Sequence, residues 1–173
     1  MARRAIEGLA HCTVPVVTAV QGAAIGGGLC LVAVSDIVIA GDRARFGATE
    51  INVGLLGASA HLRRMVGPMR TRELYLTGRL VPAAEMAEYE GIAQVVPHER
   101  LYSVARDVAQ EIASKSPLAV RLAKESLDRT ESLPAHEAYR IEQDYTARLR
   151  KFDDSAEARA AFLEKRAPVW KWQ

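Results

Sequence analysis

The chain has 173 residues, 49% hydrophobic and 25% charged, the balance of one folded domain with or without an appendage and not of a disordered chain. Its 23 Lys and Arg against 21 Asp and Glu leave a net charge of +2, without the basic excess that a nucleic-acid partner requires. Two cysteines, Cys12 and Cys30, cannot build a disulfide framework and suit a reducing, cytoplasmic compartment; His11, His61, His98 and His136 stand too far apart to suggest a metal site.

Taken in chain order, residues 1–13 carry Arg3 and Arg4 like a basic leader. Glu7 and His11 interrupt the apolar stretch and no clear cleavage site follows, so no signal peptide is read there. His11 and Cys12 read as a helix end leading into a strand. Residues 13–35 then run for 23 positions without a charge, enough to cross a bilayer. Pro15, Gln21 and the glycines Gly22, Gly26, Gly27 and Gly28 break that run and Asp36 ends it. A strand, a glycine turn and a buried helix are therefore expected in place of a membrane span. Short β-branched runs predict strands at 14–20, 36–40 and 92–96. Between the first two, Leu29, Cys30, Leu31, Val32, Ala33 and Val34 are apolar all round, as in a helix buried on every side. The strand–helix–strand crossover should be right-handed.

All twelve glycines precede residue 98, and the remainder reads as helical. A short helix starts at Val81-Pro82-Ala83-Ala84-Glu85, with Gly91 as its C′ residue. Leu101, Val104, Ala105, Val108 and Ile112 share one helical face. Ser116-Pro117 reads as N-cap and N1 of a helix carrying Leu118, Leu122 and Leu127. A further helix carries Ala138, Ile141, Tyr145 and Leu149, and a last one, capped by Asp154-Ser155, carries Ala158, Phe162 and Lys165. Two regions follow, an α/β part at 1–97 and a helical part at 98–173. The surplus apolar faces of the latter call for an interface.

Two elements carry chemistry. Gln21-Gly22-Ala23-Ala24-Ile25-Gly26-Gly27-Gly28 has neither the glycine spacing of a dinucleotide fingerprint nor the Lys-Ser or Lys-Thr of a phosphate loop. Glycines opening a buried helix let a ligand approach bare N–H groups at the positive end of the helix, which suits a developing negative oxygen; a tight packing turn explains the same residues. Glu50, in apolar surroundings, is either a partly desolvated carboxylate or a solvated loop residue. Cys30, in an apolar helix with no histidine near it in sequence, reads as a packing thiol and not a nucleophile.

The stretch from Pro15 through Gly28, then Asp36-Ile37-Val38-Ile39-Ala40, Ala44-Arg45-Phe46-Gly47 and Glu50-Ile51, resembles the enoyl-CoA hydratase/isomerase (crotonase) family. The resemblance continues through residues 62–67, Leu76-Thr77-Gly78-Arg79, Gly91-Ile92, Val95-Val96-Pro97, Lys124-Glu125 and 161–166, and so covers nearly the whole chain. It implies an α/β fold, a partial crotonase-type spiral of ββα turns followed by a helical region that mediates homotrimers, often paired into homohexamers. It also implies an acyl-CoA thioester as the substrate, with coenzyme A as part of that substrate and no separate cofactor. Gly27 would give one N–H of the oxyanion hole, and Glu50 matches the second of the two hydratase glutamates. Ala24, Ile25, Gly26, Cys30 and Leu55 would line the substrate. Phe162 and Lys165 match a pair that touches the CoA adenine in some relatives, with a core Phe and an exposed Lys left open.

Three departures qualify the match. The first hydratase glutamate is replaced by Cys30, with Leu29 before it. The loop 54–59 is reduced. The chain begins well into the family spiral, upstream of which lie the other oxyanion donor and much of the CoA pocket. Hydration divides its work between two carboxylates, whereas moving a double bond needs one base that takes a proton and returns it along the chain. The expected function is therefore acyl-CoA chemistry by Glu50 that favours isomerisation over hydration. The alternative is an inactive, truncated family member acting in assembly or as an interaction protein. Arg63, Arg64, Arg70, Arg72 and Arg79 either meet CoA phosphates or form a solvated surface.

Overall fold

The β-branched runs do become strands, and in one sheet. A computed structural model describes residues 2–172. After helix α1 (Ala2–Ala10) come strands β1 (Val17–Val20) and β2 (Ala23–Ile25), helix α2 (Gly27–Ala33), and strands β3 (Ile37–Gly41) and β4 (Arg45–Gly47). A 3-10 turn at Glu50–Val53 leads to α3 (Ser59–Thr77), β5 (Val81–Pro82), α4 (Ala83–Glu88) and β6 (Gln94–Val96). One three-stranded sheet has the order β1-β3-β6, all parallel, with Val17 opposite Ile37 and Ile39 opposite Gln94. The other has the order β2-β4-β5, with β2 parallel to β4 and β5 antiparallel to it. The sequence pattern misses β2, β4 and β5 because two or three residues are too few to show an alternation. It also starts the first strand at 14, where the paired segment starts at Val17.

The chain up to Cys12 together with Val16–Ala109 forms one unit, and Thr13–Pro15 with the chain from Gln110 onward forms a second. In the first unit Val20, Leu29, Phe46, Leu62, Leu74 and Met86 make the main core, and Ile39, Val96, Leu101 and Ala105 a second cluster under α5 (Leu101–Ala113). Helix α2 buries Leu29, Cys30, Val32 and Ala33, but Leu31 reaches the surface, so this helix is not enclosed on every side. Its C-terminal end is held by Arg64, which donates to the carbonyls of Ala33 and Ser35. A guanidinium suits the negative end of a helix. The longest helix, α3, escapes sequence reading because it is broken at Gly67, whose φ of 72° and ψ of 175° are not helical, and because Pro68 follows.

The second unit contains α6 (Pro117–Thr130), α7 (Ala135–Leu149) and α8 (Asp153–Glu164). Ser116 caps α6 as expected, its hydroxyl accepting the Ala119 N–H at 3.3 Å. Leu122 is buried on that helix while Leu127 is exposed, so the apolar stripe is narrower than its spacing suggests. Tyr145 anchors α7 against α6, donating to Glu125 at 2.8 Å. The N-cap of α8 is Phe152, not Asp154; the buried Asp154 carboxylate instead accepts the backbone N–H groups of Lys171 and Trp172 at 2.8 and 3.0 Å. Among the described residues, no helix is long and apolar enough to cross a membrane. No cluster of three metal-ligating side chains occurs among them either.

The end of α4 corrects the assignment of Gly91. Glu90, at φ 60°, takes the left-handed C′ position, donating to Ala87 at 2.9 Å, and the Gly91 N–H reaches Met86 at 3.0 Å. These two bonds form a Schellman motif. Gly91 serves close packing: a Cβ there would lie 2.6 Å from Met86 Sδ and 3.1 Å from Val66 Cγ1. Gly91→Ala should therefore lower stability by about 1–2 kcal/mol, a typical cost of overpacking. Glu90→Gly, which relieves left-handed strain, should leave stability equal or raise it by up to about 1 kcal/mol. Urea midpoints of the two variants check this contrast.

Candidate active site at a glycine turn

Strand β2 is too short to run beyond Ile25, and its parallel register on β4, with Ile25 opposite Gly47, decides where both chains go next. The Gly26 N–H extends the pairing by one bond to the Gly47 carbonyl, 3.1 Å away. Gly26 then turns through φ 54° and ψ −117°, a conformation that essentially requires glycine, and α2 begins at Gly27. The partner strand leaves the sheet at Gly47 and reaches Glu50 three residues later. Carboxylate and glycine turn are thereby brought together at the carboxyl ends of two neighbouring parallel strands. A Cβ added to Gly26 would stand 3.0 Å from Glu50 Oε1.

Gly27 and Gly28 are exposed, and a Cβ on either would meet nothing within 4 Å, so a ligand has room to approach the first turn of α2. The N–H groups of a first helical turn have no partner within the helix. Glu50 Oε2 is buried without a hydrogen-bond partner. Such an atom is costly unless something uses it. Cys30, one turn into α2 and buried, lies near enough to this carboxylate to sense its charge. Burial, and secondarily the Glu50 charge, pushes its thiol above the ordinary range, so it remains a neutral S–H.

Of the other residues expected at the site, Ala24 is buried in the main core, Ile25 is half-buried at the end of β2, and Leu55 is exposed beyond the 3-10 turn. The Leu55 N–H bonds back to the Glu50 carbonyl at 3.0 Å. Gly26, Gly27, Cys30, Glu50 and Leu55 are thus assembled by the first unit. Phe162 on α8 and Lys165, the left-handed C-cap that ends it, belong to the second; Phe162 is 82% exposed, which excludes a core role. The arginine group divides by partner. Arg64 holds the end of α2, and Arg70 and Arg79 pair with Glu73. Arg79 also pairs with Glu85, which Arg79 and the Tyr89 hydroxyl hold below the usual carboxylate range. Arg63 and Arg72 line an open cleft on α3 with Ser59, Thr71 and Tyr75. Missing from the sequence reading are Gly57, Asn52 and Tyr75, which hold the Glu50 loop. Only the glycine in a short loop signalled them.

A partial ββα spiral that sets a glycine turn against a lone carboxylate defines the class. The enoyl-CoA hydratase/isomerase family model matches residues 3–173, and the chain belongs to that family. It is 40% identical over 157 residues to the (7aS)-7a-methyl-1,5-dioxo-2,3,5,6,7,7a-hexahydro-1H-indene-carboxyl-CoA hydrolase of Rhodococcus jostii, covering 91% of this chain and 61% of that protein. It is 34% identical over 165 residues to the carnitinyl-CoA dehydratase of Escherichia coli, covering 91% and 63% respectively. The crystal structure of enoyl-CoA hydratase from Bacillus anthracis superposes with a TM-score of 0.95 at 34% identity, over 99% of this chain and 68% of that one. The chain thus spans about six-tenths of the length of these curated relatives.

The state of Cys30 is directly testable. In the folded chain, alkylation followed by peptide mass spectrometry should modify half-buried Cys12 first and Cys30 several-fold more slowly at neutral pH. Glu50→Gln removes a charge that opposes the thiolate, so it should lower the Cys30 pKa and speed alkylation of Cys30.

Proposed function

We propose that the site acts on an acyl-CoA thioester, with Glu50 as the single acid/base group and the Gly27 N–H as one donor of an oxyanion hole. The observation that carries the reading is the Glu50 carboxylate, whose Oε1 lies against the glycine turn and whose Oε2 is buried without a hydrogen-bond partner, with a neutral thiol where a second carboxylate would be needed for hydration. In a 3-enoyl thioester, Glu50 takes a proton from C2 and the electron pair moves toward the thioester oxygen. The Gly27 N–H, at the positive end of α2, favours that developing charge. Glu50 then returns the proton to C4, and the double bond lies between C2 and C3. Ala24, Ile25, Gly26, Cys30 and Leu55 shape the acyl side. Exposed Val53, Leu55 and Leu56 supply apolar surface for the chain of the substrate. Phe162 and Lys165 are assigned to the CoA moiety held by a second copy, across a subunit boundary, and no further cofactor is required.

A second reading shares the same base. The hydrolase name of the R. jostii relative, together with a lone carboxylate, supports Glu50 activating a water against a carbonyl of a CoA-linked substrate. Product analysis separates the two: isomerisation leaves the mass unchanged, whereas hydrolysis adds one water or frees CoA.

Glu50→Gln should lower turnover of a 3-enoyl-CoA by about 10²-fold or more while leaving acyl-CoA binding nearly intact; equal activity would remove Glu50 from the mechanism. The parent should isomerise faster than it hydrates a 2-enoyl-CoA, and Cys30→Glu should gain hydratase activity, at some cost in stability from burying a carboxyl group. Loss of the conjugated enoyl thioester absorbance follows hydration in both proteins, and a parent that hydrates efficiently would contradict the one-carboxylate reading.

Assembly is the second part of the proposal. Leu127, Phe162 and Leu163 are all more than two-thirds exposed, which supports a homotrimer or homohexamer in which a second copy covers them. Light scattering should return a mass several times that of one chain; a stable monomer would contradict it.

A further inference from the structure

A carboxylate without a hydrogen bond at Oε2 keeps its direction only if the backbone around it is rigid. The segment that carries Glu50 turns twice through left-handed backbone, at Gly54 with φ 71° and at Ala58 with φ 60°. Glycine adopts such angles freely, but alanine does not, so contacts from outside the turn must hold Ala58 there. They come from the last two turns of α3. Asn52 Nδ2 donates to the Gly78 carbonyl at 2.8 Å, fixing the 3-10 turn from one side. The Gly57 N–H donates to the Tyr75 hydroxyl at 3.0 Å, fixing the loop from the other.

The second bond bears directly on the carboxylate. A Cβ built on Gly57 would lie 2.8 Å from Glu50 Oε1 and 3.3 Å from its Cδ, so the bare α-carbon of Gly57 sits against the carboxyl group. Gly26 sits against the same oxygen, with a Cβ position 3.0 Å away. Glu50 is thus held between two glycines. Gly26 is fixed by the β2–β4 pairing through its 3.1 Å bond to Gly47. Gly57 is fixed by the hydroxyl of Tyr75, whose ring packs half-buried on the main core. Phenylalanine at 75 would keep that packing and remove only the acceptor.

We infer that Tyr75 is a positioning residue for proton transfer: by holding the Gly57 amide, its hydroxyl keeps the Glu50 carboxylate pressed toward Gly26 and the mouth of the glycine turn. The inference rests on the reading of Glu50 as the proton carrier. Tyr75 acts through Gly57 and contributes no group to the reacting atoms. Losing the hydroxyl loosens one side of the clamp, so the base is misdirected while the surfaces that bind the thioester and CoA are unchanged.

The test is a double-mutant cycle on the full chain, comparing the parent, Tyr75→Phe, Glu50→Gln and the double variant, with thermal midpoints to confirm folding. Tyr75→Phe should lower kcat for a 3-enoyl-CoA about ten-fold with KM within about two-fold, and should add no further loss to Glu50→Gln. Gly57→Ala, which pushes on Oε1 without touching Tyr75, should show the same dependence on Glu50. An unchanged kcat in Tyr75→Phe, or an equal fold-loss in both backgrounds, would overturn the positioning role and leave Glu50 as proton carrier. Full turnover in Glu50→Gln would overturn the proton-carrier reading itself. If the parent turns over no enoyl-CoA, the same cycle is read on alkylation of Cys30, which senses the Glu50 charge. Tyr75→Phe should then speed alkylation in the parent background and not in Glu50→Gln, and an equal change in both would overturn the inference.

Discussion

The parallel register of β2 on β4, completed by the Gly26 N–H to Gly47 carbonyl bond, places a helix start and a carboxylate side by side although Gly27 and Glu50 are 23 positions apart in the chain. Both strands are three residues long, so their own ladder contributes little. Their position is secured by what they carry. Ala24 and Phe46 enter the main core, while α2 is held at its far end by Arg64 and at its near end by the glycine that alone tolerates the turn. Any shift of one residue along this pair would move Gly26 off Glu50 and expose Phe46, so core and site are specified by the same register.

Electrostatics then limits the chemistry the site can do. Burying an unpartnered carboxylate oxygen has a cost, and a protein retains such a group where a ligand or a proton will meet it. Two carboxylates close together repel, and such a pair keeps one proton between them, the division of acid and base expected of hydration. The Cys30 thiol is kept neutral by burial and by the Glu50 charge, so it brings no second charge to the turn. The fold alone does not choose among such reactions; the residues of the site do.

How far the sequence could be read follows from the length scale of each signal. The glycine turn, the apolar stretch of α2, the strands of the β1-β3-β6 sheet and the Ser116 cap all carry their information within a few consecutive residues, and each was legible. The short strands β2 and β4 were not, although they make the site, because three residues show no alternation. Helix α3 hid behind Gly67 and Pro68. Gly91 reads as a helix-ending residue, yet its smallness serves packing against Met86, and Asp154 reads as a cap, yet it ties down Lys171 and Trp172. In these last two cases the deciding partner is distant in sequence. The same holds for Tyr75 and Gly57, eighteen residues apart, whose contact no local pattern announces.

The central claim is geometric: one carboxylate and one backbone N–H of a glycine turn address the same thioester. A crystal structure of the chain with an unreactive saturated acyl-CoA tests it most directly. The account predicts the thioester oxygen about 3 Å from the Gly27 nitrogen, with the Glu50 carboxylate over C2 of the acyl group. An acyl group seated away from the α2 turn, or Glu50 rotated out of reach of it, would contradict the account.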